Sequence, residues 1–210
     1  MIRNSVVLAA LIAAFAAAQA APVVSTSAGT FASAQVIGAA SFTNNALADV
    51  FDSTTIKHAE ISQNGRQSAG YDFYRFTHGG GTMHLDIDTA SLTSGRFDTE
   101  IGIWNAAGSL LFINDDNVAD PGSPDIGGGS SLDSLLQGLS LASGDYIVGV
   151  CAFPCGFAAN GVITGEGVPD GGRYILNISS NVVGTVPEPG ALSLMLLAGA
   201  GAFASRRRKA

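Results

Sequence analysis

Positive charge is what this chain has least of between its two ends. From residue 21 to 185 only Lys57, Arg66, Arg75, Arg96 and Arg173 carry it, against 16 carboxylates, a net charge of −11. A domain of that sign repels nucleic acid and anionic lipid and favours cations or neutral partners. Nucleic acid is therefore set aside as a partner. Catalytic constellations are missing as well. His58, His78 and His84 stand apart with no H-E-x-x-H pair, and no G-x-S-x-G turn presents a serine. Gly127-Gly128-Gly129 lacks the Lys-Ser/Thr that completes a phosphate loop. Asp86 and Asp88 pair on what reads as one exposed strand face, where solvated charges are expected rather than a glycosidase couple. The expectation is a protein that is not an enzyme.

Long apolar runs are absent from the middle and present at both ends. Arg3 followed by the apolar run 6–18 and by Ala18-Gln19-Ala20 has the form of a secretory signal peptide over residues 1–20, with cleavage predicted after Ala20. At the other end Val186-Pro187-Glu188-Pro189 precedes an apolar stretch, 190–204, and then Arg206-Arg207-Arg208-Lys209. Basic residues beside an apolar segment stay on the cytoplasmic side, so everything before Pro187 should lie across the membrane. The 15-residue stretch makes about 22 Å of helix. A comfortable span needs roughly 20 residues, so this segment suits a transient stop better than a permanent anchor. The order Pro-Glu-Pro, helix, arginine cluster over residues 184–210 resembles the PEP-CTERM sorting signal of exopolysaccharide-producing Gram-negative bacteria. That resemblance implies recognition at Pro187, Glu188 and Pro189 by an exosortase, which removes the tail. It also implies membrane attachment through the C-terminal transmembrane helix, in the inner membrane during transit. The destination would be the cell surface or extracellular matrix.

Export puts Cys151 and Cys155, the two cysteines of the chain, in an oxidising compartment, where an isolated pair reads as a disulfide. No further thiol or histidine is close enough in sequence to make it a zinc site. Pro154 pre-bends the loop between them.

Residues 21–40 carry no clean period and read as a leader; residues 41–183 read as one domain. Tyr71-Asp72-Phe73-Tyr74-Arg75-Phe76 alternates, and Met83-His84-Leu85-Asp86-Ile87-Asp88 alternates without a break. The second pattern places Met83, Leu85 and Ile87 inward and His84, Asp86 and Asp88 outward. His78-Gly79-Gly80-Gly81 between them reads as a hairpin loop. Asn105-Ala106-Ala107-Gly108 joins the runs 100–104 and 110–113 as a second hairpin. Ile101, Ile103, Ile147 and Val150 complete the expected inward set. The one helix candidate, 134–139, reads better as an edge strand. Short strands between Gly-rich turns predict an all-β, antiparallel, jelly-roll-like β-sandwich. The succession 96–104, 108–111, 114–117 and 143–150 resembles the bacterial pre-peptidase C-terminal domain, over roughly residues 69–179. That resemblance implies the same sandwich, in a family whose members include calcium binders.

Asn114-Asp115-Asp116-Asn117 is the densest run of oxygen ligands. Clustered carboxylates and amides on a turn can supply the six to eight oxygens that Ca²⁺ takes. Asp98 and Asp133 are positioned by sequence to contribute, with Glu100, Asp120 and Asp125 nearby. The contiguous Asp115-Asp116 does not fit an EF-hand. A solvated acidic turn is the alternative, because Asn and Asp are good turn formers. Trp104, Tyr71, Tyr74 and Tyr146 would stack on sugars if exposed, although strand alternation assigns at least half of them to the core.

Two functional readings remain. One is a non-enzymatic envelope or extracellular-matrix protein associated with exopolysaccharide. The other is a calcium-assisted module binding a polysaccharide or peptide. A buried Trp104 favours the first, and a Trp104 exposed beside the acidic loop favours the second.

Overall fold

A computed structural model of the chain describes residues 20–47, 50–89, 94–116 and 132–182. The signal-peptide run, Asn117, Asp120, Asp125 and the whole sorting tail with Pro187, Glu188 and Pro189 lie outside the described residues.

Two five-stranded sheets pack face to face. The first runs in the order β1 (Val23–Val24), β3 (His58–Asn64), β12 (Arg173–Ser180), β5 (Gly81–Asp88), β8 (Leu135–Leu141). The second runs β2 (Gln35–Val36), β4 (Asp72–His78), β9 (Gly144–Ala152), β6 (Thr99–Asn105), β7 (Leu110–Asn114). A hairpin of β10 (Cys155–Ala158) and β11 (Val162–Gly165) stands beside them. The expected all-β sandwich is what forms. Alternation sends every second side chain to the inner faces. Met83, Leu85, Ile87, Ile101, Ile103, Val148, Val150, Leu176 and Ile178 meet there, all fully buried. Burying each such side chain is worth roughly 1.5–3 kcal/mol. The stretch around residues 134–139 is indeed an edge strand, β8, and residues 105–108 do turn the β6–β7 hairpin.

Five expectations need correction. His78-Gly79-Gly80-Gly81 is not a hairpin loop: β4 and β5 lie in different sheets, and the glycines carry the chain across the sandwich. Gly80 and Gly81, at φ +96° and +98°, make that crossing in a backbone region that suits glycine. Ile147 is buried, but its odd parity against Val150 turns it to the outer face of the second sheet, where it packs with Phe73, Trp104, Cys151 and Ile163. His84, Asp86 and Asp88 do face outward from the first sheet, yet all three are buried. The chain before β3 folds over that face: the Phe51 ring stacks on His84 at 5.9 Å, and Asp52 Oδ2 lies 3.5 Å from His84 Nε2. Residues 21–40 are part of the sheets and no mere leader. β1 adds to β3 and β2 to β4, both parallel, so the sandwich is not antiparallel throughout.

One polar cluster runs through the core. Asp72, fully buried on β4, pairs with Arg66 and accepts hydrogen bonds from Tyr174 (2.7 Å) and Gln63 (3.2 Å). The Tyr174 and Tyr74 hydroxyls meet at 2.5 Å, and Tyr74 donates to Ser25 Oγ at 2.7 Å. Burial raises both tyrosines, Tyr74 first by desolvation and then by the Asp72 charge. They are donors at any physiological pH. Removing one partner of a buried ion pair strands the other. Asp72→Ala should therefore cost about 3–5 kcal/mol of unfolding free energy, and Tyr74→Phe about 1–2 kcal/mol. Urea denaturation checks both; equal midpoints for Asp72→Ala and wild type would show that the cluster does not hold the sheets.

Candidate functional site

Strand β6 begins and β7 ends at the same end of the second sheet, with Ile101 opposite Asn114. That register delivers Asp98, just before β6, to Asp115 and Asp116, just after β7. One carboxylate oxygen from each lies within 4.8 Å of the others. Asp98 is pushed up to about 6, first by burial and then by Asp115, Asp116, Glu100 and Asp133. Asp115 is raised by burial and then by Asp116. Three carboxyls so placed repel one another, and a divalent cation would relieve that repulsion.

The other sequence candidates do different work. Asn114 faces the strand ladder: its Oδ1 accepts from Leu135 N–H at 2.8 Å and its Nδ2 donates to Asp116 O at 3.3 Å. Asp133 is fully buried and accepts from Thr89 N–H and Oγ1–H at 3.0 and 2.6 Å. It fastens β8 to the end of β5 while still adding negative potential at Asp98. Asn117 lies outside the described residues. The sequence thus named the three converging carboxylates together with two residues that brace them.

Cys151 and Cys155 form the expected disulfide, with Cα atoms 6.4 Å apart. Glu100 stands against it, its Oε2 accepting from Cys155 N–H at 2.5 Å. Burial raises Glu100, the Cys155 N–H lowers it, and Asp115 and Asp116 raise it further. Because both sulfurs are in the disulfide, neither serves as a thiolate ligand. Within the bridged loop Phe153 donates its N–H to Asp98 O at 3.0 Å while its ring is 52% exposed. Strand alternation gave no sign of this residue, because it sits in a disulfide turn rather than a strand.

Trp104 is fully buried on the outer face of the second sheet. Phe31, Phe73 and Phe157 surround it with ring centroids 5.7–6.1 Å away, and its Nε1–H donates to Ala158 O at 2.8 Å. Tyr74 and Tyr146 are buried too, and Tyr71 is half-buried with its hydroxyl on Gly165 O at 3.0 Å.

Residues 185–209 match the PEP-CTERM protein-sorting motif family. The chain carries a PEP-CTERM sorting signal. The motif implies export and processing by an exosortase. No helix among the described residues is long and apolar enough to cross a membrane, and the tail itself lies outside them. No curated protein matches the chain. Among solved structures, a mutant of PliG, a periplasmic lysozyme inhibitor of g-type lysozyme from Escherichia coli, is similar at 13% identity and a TM-score of 0.28, covering 70% of this chain and 97% of its own. Aeromonas hydrophila PliG is similar at 17% identity and 0.29, covering 76% and 98%. At such scores the fold rests on the strands and their register rather than on these likenesses.

The acidic cluster has a pH signature. With Asp98 held near 6 when folded and near its ordinary 3.8 when unfolded, the folded state keeps a proton that the unfolded chain releases. Metal-free stability should therefore fall as pH rises from about 4 to about 6. Asp98→Asn should flatten that fall. Thermal melts of both proteins in chelator across this range check it, and superimposable pH profiles would remove Asp98 as the cause.

Proposed function

We propose that the mature chain is a non-enzymatic module of the cell envelope or extracellular matrix, delivered by exosortase processing and held among exopolysaccharide. The observation that carries this reading is the burial of Trp104, with Tyr74 and Tyr146 buried as well. The indole, the best sugar-stacking surface in the chain, is spent on packing the β10–β11 hairpin against the second sheet. What the described surface presents instead is carboxylate charge at one end of a rigid sandwich. The resemblance of the core to pre-peptidase C-terminal domains belongs to this proposal and supports a stable exported module. Transit through the inner membrane by way of the segment 190–204 belongs to it too.

The test is intact-mass measurement on protein from the native host. A chain starting at Ala21 and ending near Pro187–Pro189 is expected. Recovery of mature protein still reaching Ala210 would overturn tail removal.

A second reading has its own support: Phe153, half-exposed, lies on the backbone hydrogen bond that anchors Asp98. Here Ca²⁺ bound by Asp98, Asp115 and Asp116 orders the acidic cluster, and the phenyl ring offers a sugar an apolar face. Extracellular calcium sites of this kind bind at about 10⁻⁴–10⁻³ M. Saturating calcium at pH 7.5 should raise the melting temperature by about 3 °C, because only the folded chain gathers the ligands. At pH 5 the gain should vanish as Asp98 takes up its proton. Asp115→Asn with Asp116→Asn should abolish it at either pH. Pull-down of exopolysaccharide with and without calcium, using wild type and Phe153→Ala, separates the two readings. Calcium-dependent capture lost in Phe153→Ala supports the second, and capture indifferent to both supports the first.

A further inference from the structure

At the edge of the first sheet a shallow polar recess is lined by Ala20, Ala21, Ser41, Thr43, Asn45, His58 and Glu60, with Leu47 beside them. Strand β1 pairs in parallel with β3, Val23 opposite Ile61 and Val24 opposite Ser62. Continued backwards, that register brings Ala21 level with Ala59, between His58 and Glu60. The Ala20–Ala21 peptide bond is also where the signal-peptide pattern places cleavage. Hydrolysis there consumes one water, sends a carboxylate away on Ala20 and leaves an α-ammonium on Ala21. We propose that this recess is a seat for the mature N-terminus, in which the new Ala21 ammonium is held by the Glu60 carboxylate and His58 Nδ1. The proposal rests on the signal-peptide reading for its occupant.

Two observations beyond the position support it. His58 is 3% exposed, and its Nδ1 has no hydrogen-bond partner among the described residues. The ring does bond the Ser53 backbone; with Nδ1 unpartnered, that bond belongs to Nε2–H. Nδ1 therefore keeps its lone pair and is an acceptor. Burial holds His58 below the usual histidine range, which keeps it neutral and able to accept. The second observation is charge. Glu60 and His58 are the titratable groups lining the recess, the remaining side chains there being neutral. An ammonium entering it meets a carboxylate and a lone pair. Departure of Ala20 clears the space beside them. Before cleavage the same nitrogen is an uncharged amide, so the seat is completed by processing.

The experiment uses chains that all end at Ala210, their starts set by a removable fusion partner. One begins at Ala21 and one carries Gly-Ser before it; each is made with Glu60 and with Glu60→Gln. A carboxylate neighbour raises an amine, so the α-amino group of the chain starting at Ala21 should titrate at least half a unit above the ordinary value of about 7.7–8.0. In Glu60→Gln it should return to that value. Glu60→Gln should lower the melting temperature by about 2 °C when the chain starts at Ala21 and leave the extended chain unchanged. Because the amine is raised on folding, this difference should be present below pH 7 and lost as pH rises through the folded value. An α-amino group that titrates normally and ignores Glu60→Gln would overturn the seat. So would an equal loss in both chains, which would give Glu60 a purely structural role. Intact mass of the exported chain tests the cleavage site separately: a native start elsewhere defeats the signal reading whatever the defined chains show.

Discussion

Asp72 is the constraint on which the sandwich turns. A carboxylate with no exposure is stable only if its charge and its lone pairs are met. The groups that meet it come from separate parts of the chain: Arg66 from the connection after β3, Gln63 from β3 itself, and Tyr174 from β12. Tyr74, on the same strand as Asp72, carries the cluster on to Ser25 just beyond β1, and Gln63 also donates to Ser27 at 2.9 Å. Apolar contacts between two sheets tolerate sliding, whereas a buried charge tolerates only the arrangement that satisfies it. The cluster thus fixes the second sheet against the first and draws the N-terminal segment onto both.

The outer faces show a second constraint. Neither sheet is left bare. Phe31 and the β10–β11 hairpin cover the second sheet over Trp104, and the paired Gly102 and Gly149 make room for them. A methyl group at Gly149 would stand 2.9 Å from the Trp104 ring, and one at Gly102 would stand 2.5 Å from Phe157. The disulfide joins the end of β9 to the start of that hairpin, holding the cover close to the strand that carries Ile147 and Cys151. Over the first sheet, Phe51 and Asp52 close on His84.

These covers explain which parts of the fold were legible in the sequence. Met83, Leu85 and Ile87 announced their face because alternation is a local property of one strand. The edge strand β8, the β6–β7 turn and the cysteine pair were local as well. What escaped was non-local. A strand reads as half-exposed until something distant lies on its polar side, so His84, Asp86 and Asp88 looked solvated. Gly79-Gly80-Gly81 looks the same whether it turns a hairpin or crosses between sheets. Residues 21–40 lack a period because each of their strands contributes only two residues to a ladder. At the acidic cluster, composition identified Asp98, Asp115 and Asp116, but the roles of Asn114 and Asp133 as braces depended on how β7 and β5 meet the start of β8. Phe153 had no pattern to betray it.

The strands also sort the chemistry by pole. β12 runs from Arg173 to Ser180, eight residues, or about 26 Å at 3.3 Å each. Its start lies with the end of β5, where Thr89 bonds both Asp133, just before β8, and the carbonyl of Phe97, next to Asp98. Its end lies with His78, whose Nδ1 meets Ser180 Oγ at 2.8 Å, and with His58, opposite Ser179. Val182, the last described residue before the sorting signal, is therefore at the pole opposite the acidic cluster. Ala21 is at that same pole, because β1 follows β3 in parallel from His58 onward. The described chain therefore enters the domain at Ala21 and leaves it at Val182 at one end. His58 and His78 mark that pole, and the carboxylates of Asp98, Asp115 and Asp116 lie at the other. Screening confines a charge to about 8 Å at physiological salt, so carboxylates a strand's length away leave the histidine pole electrostatically to itself.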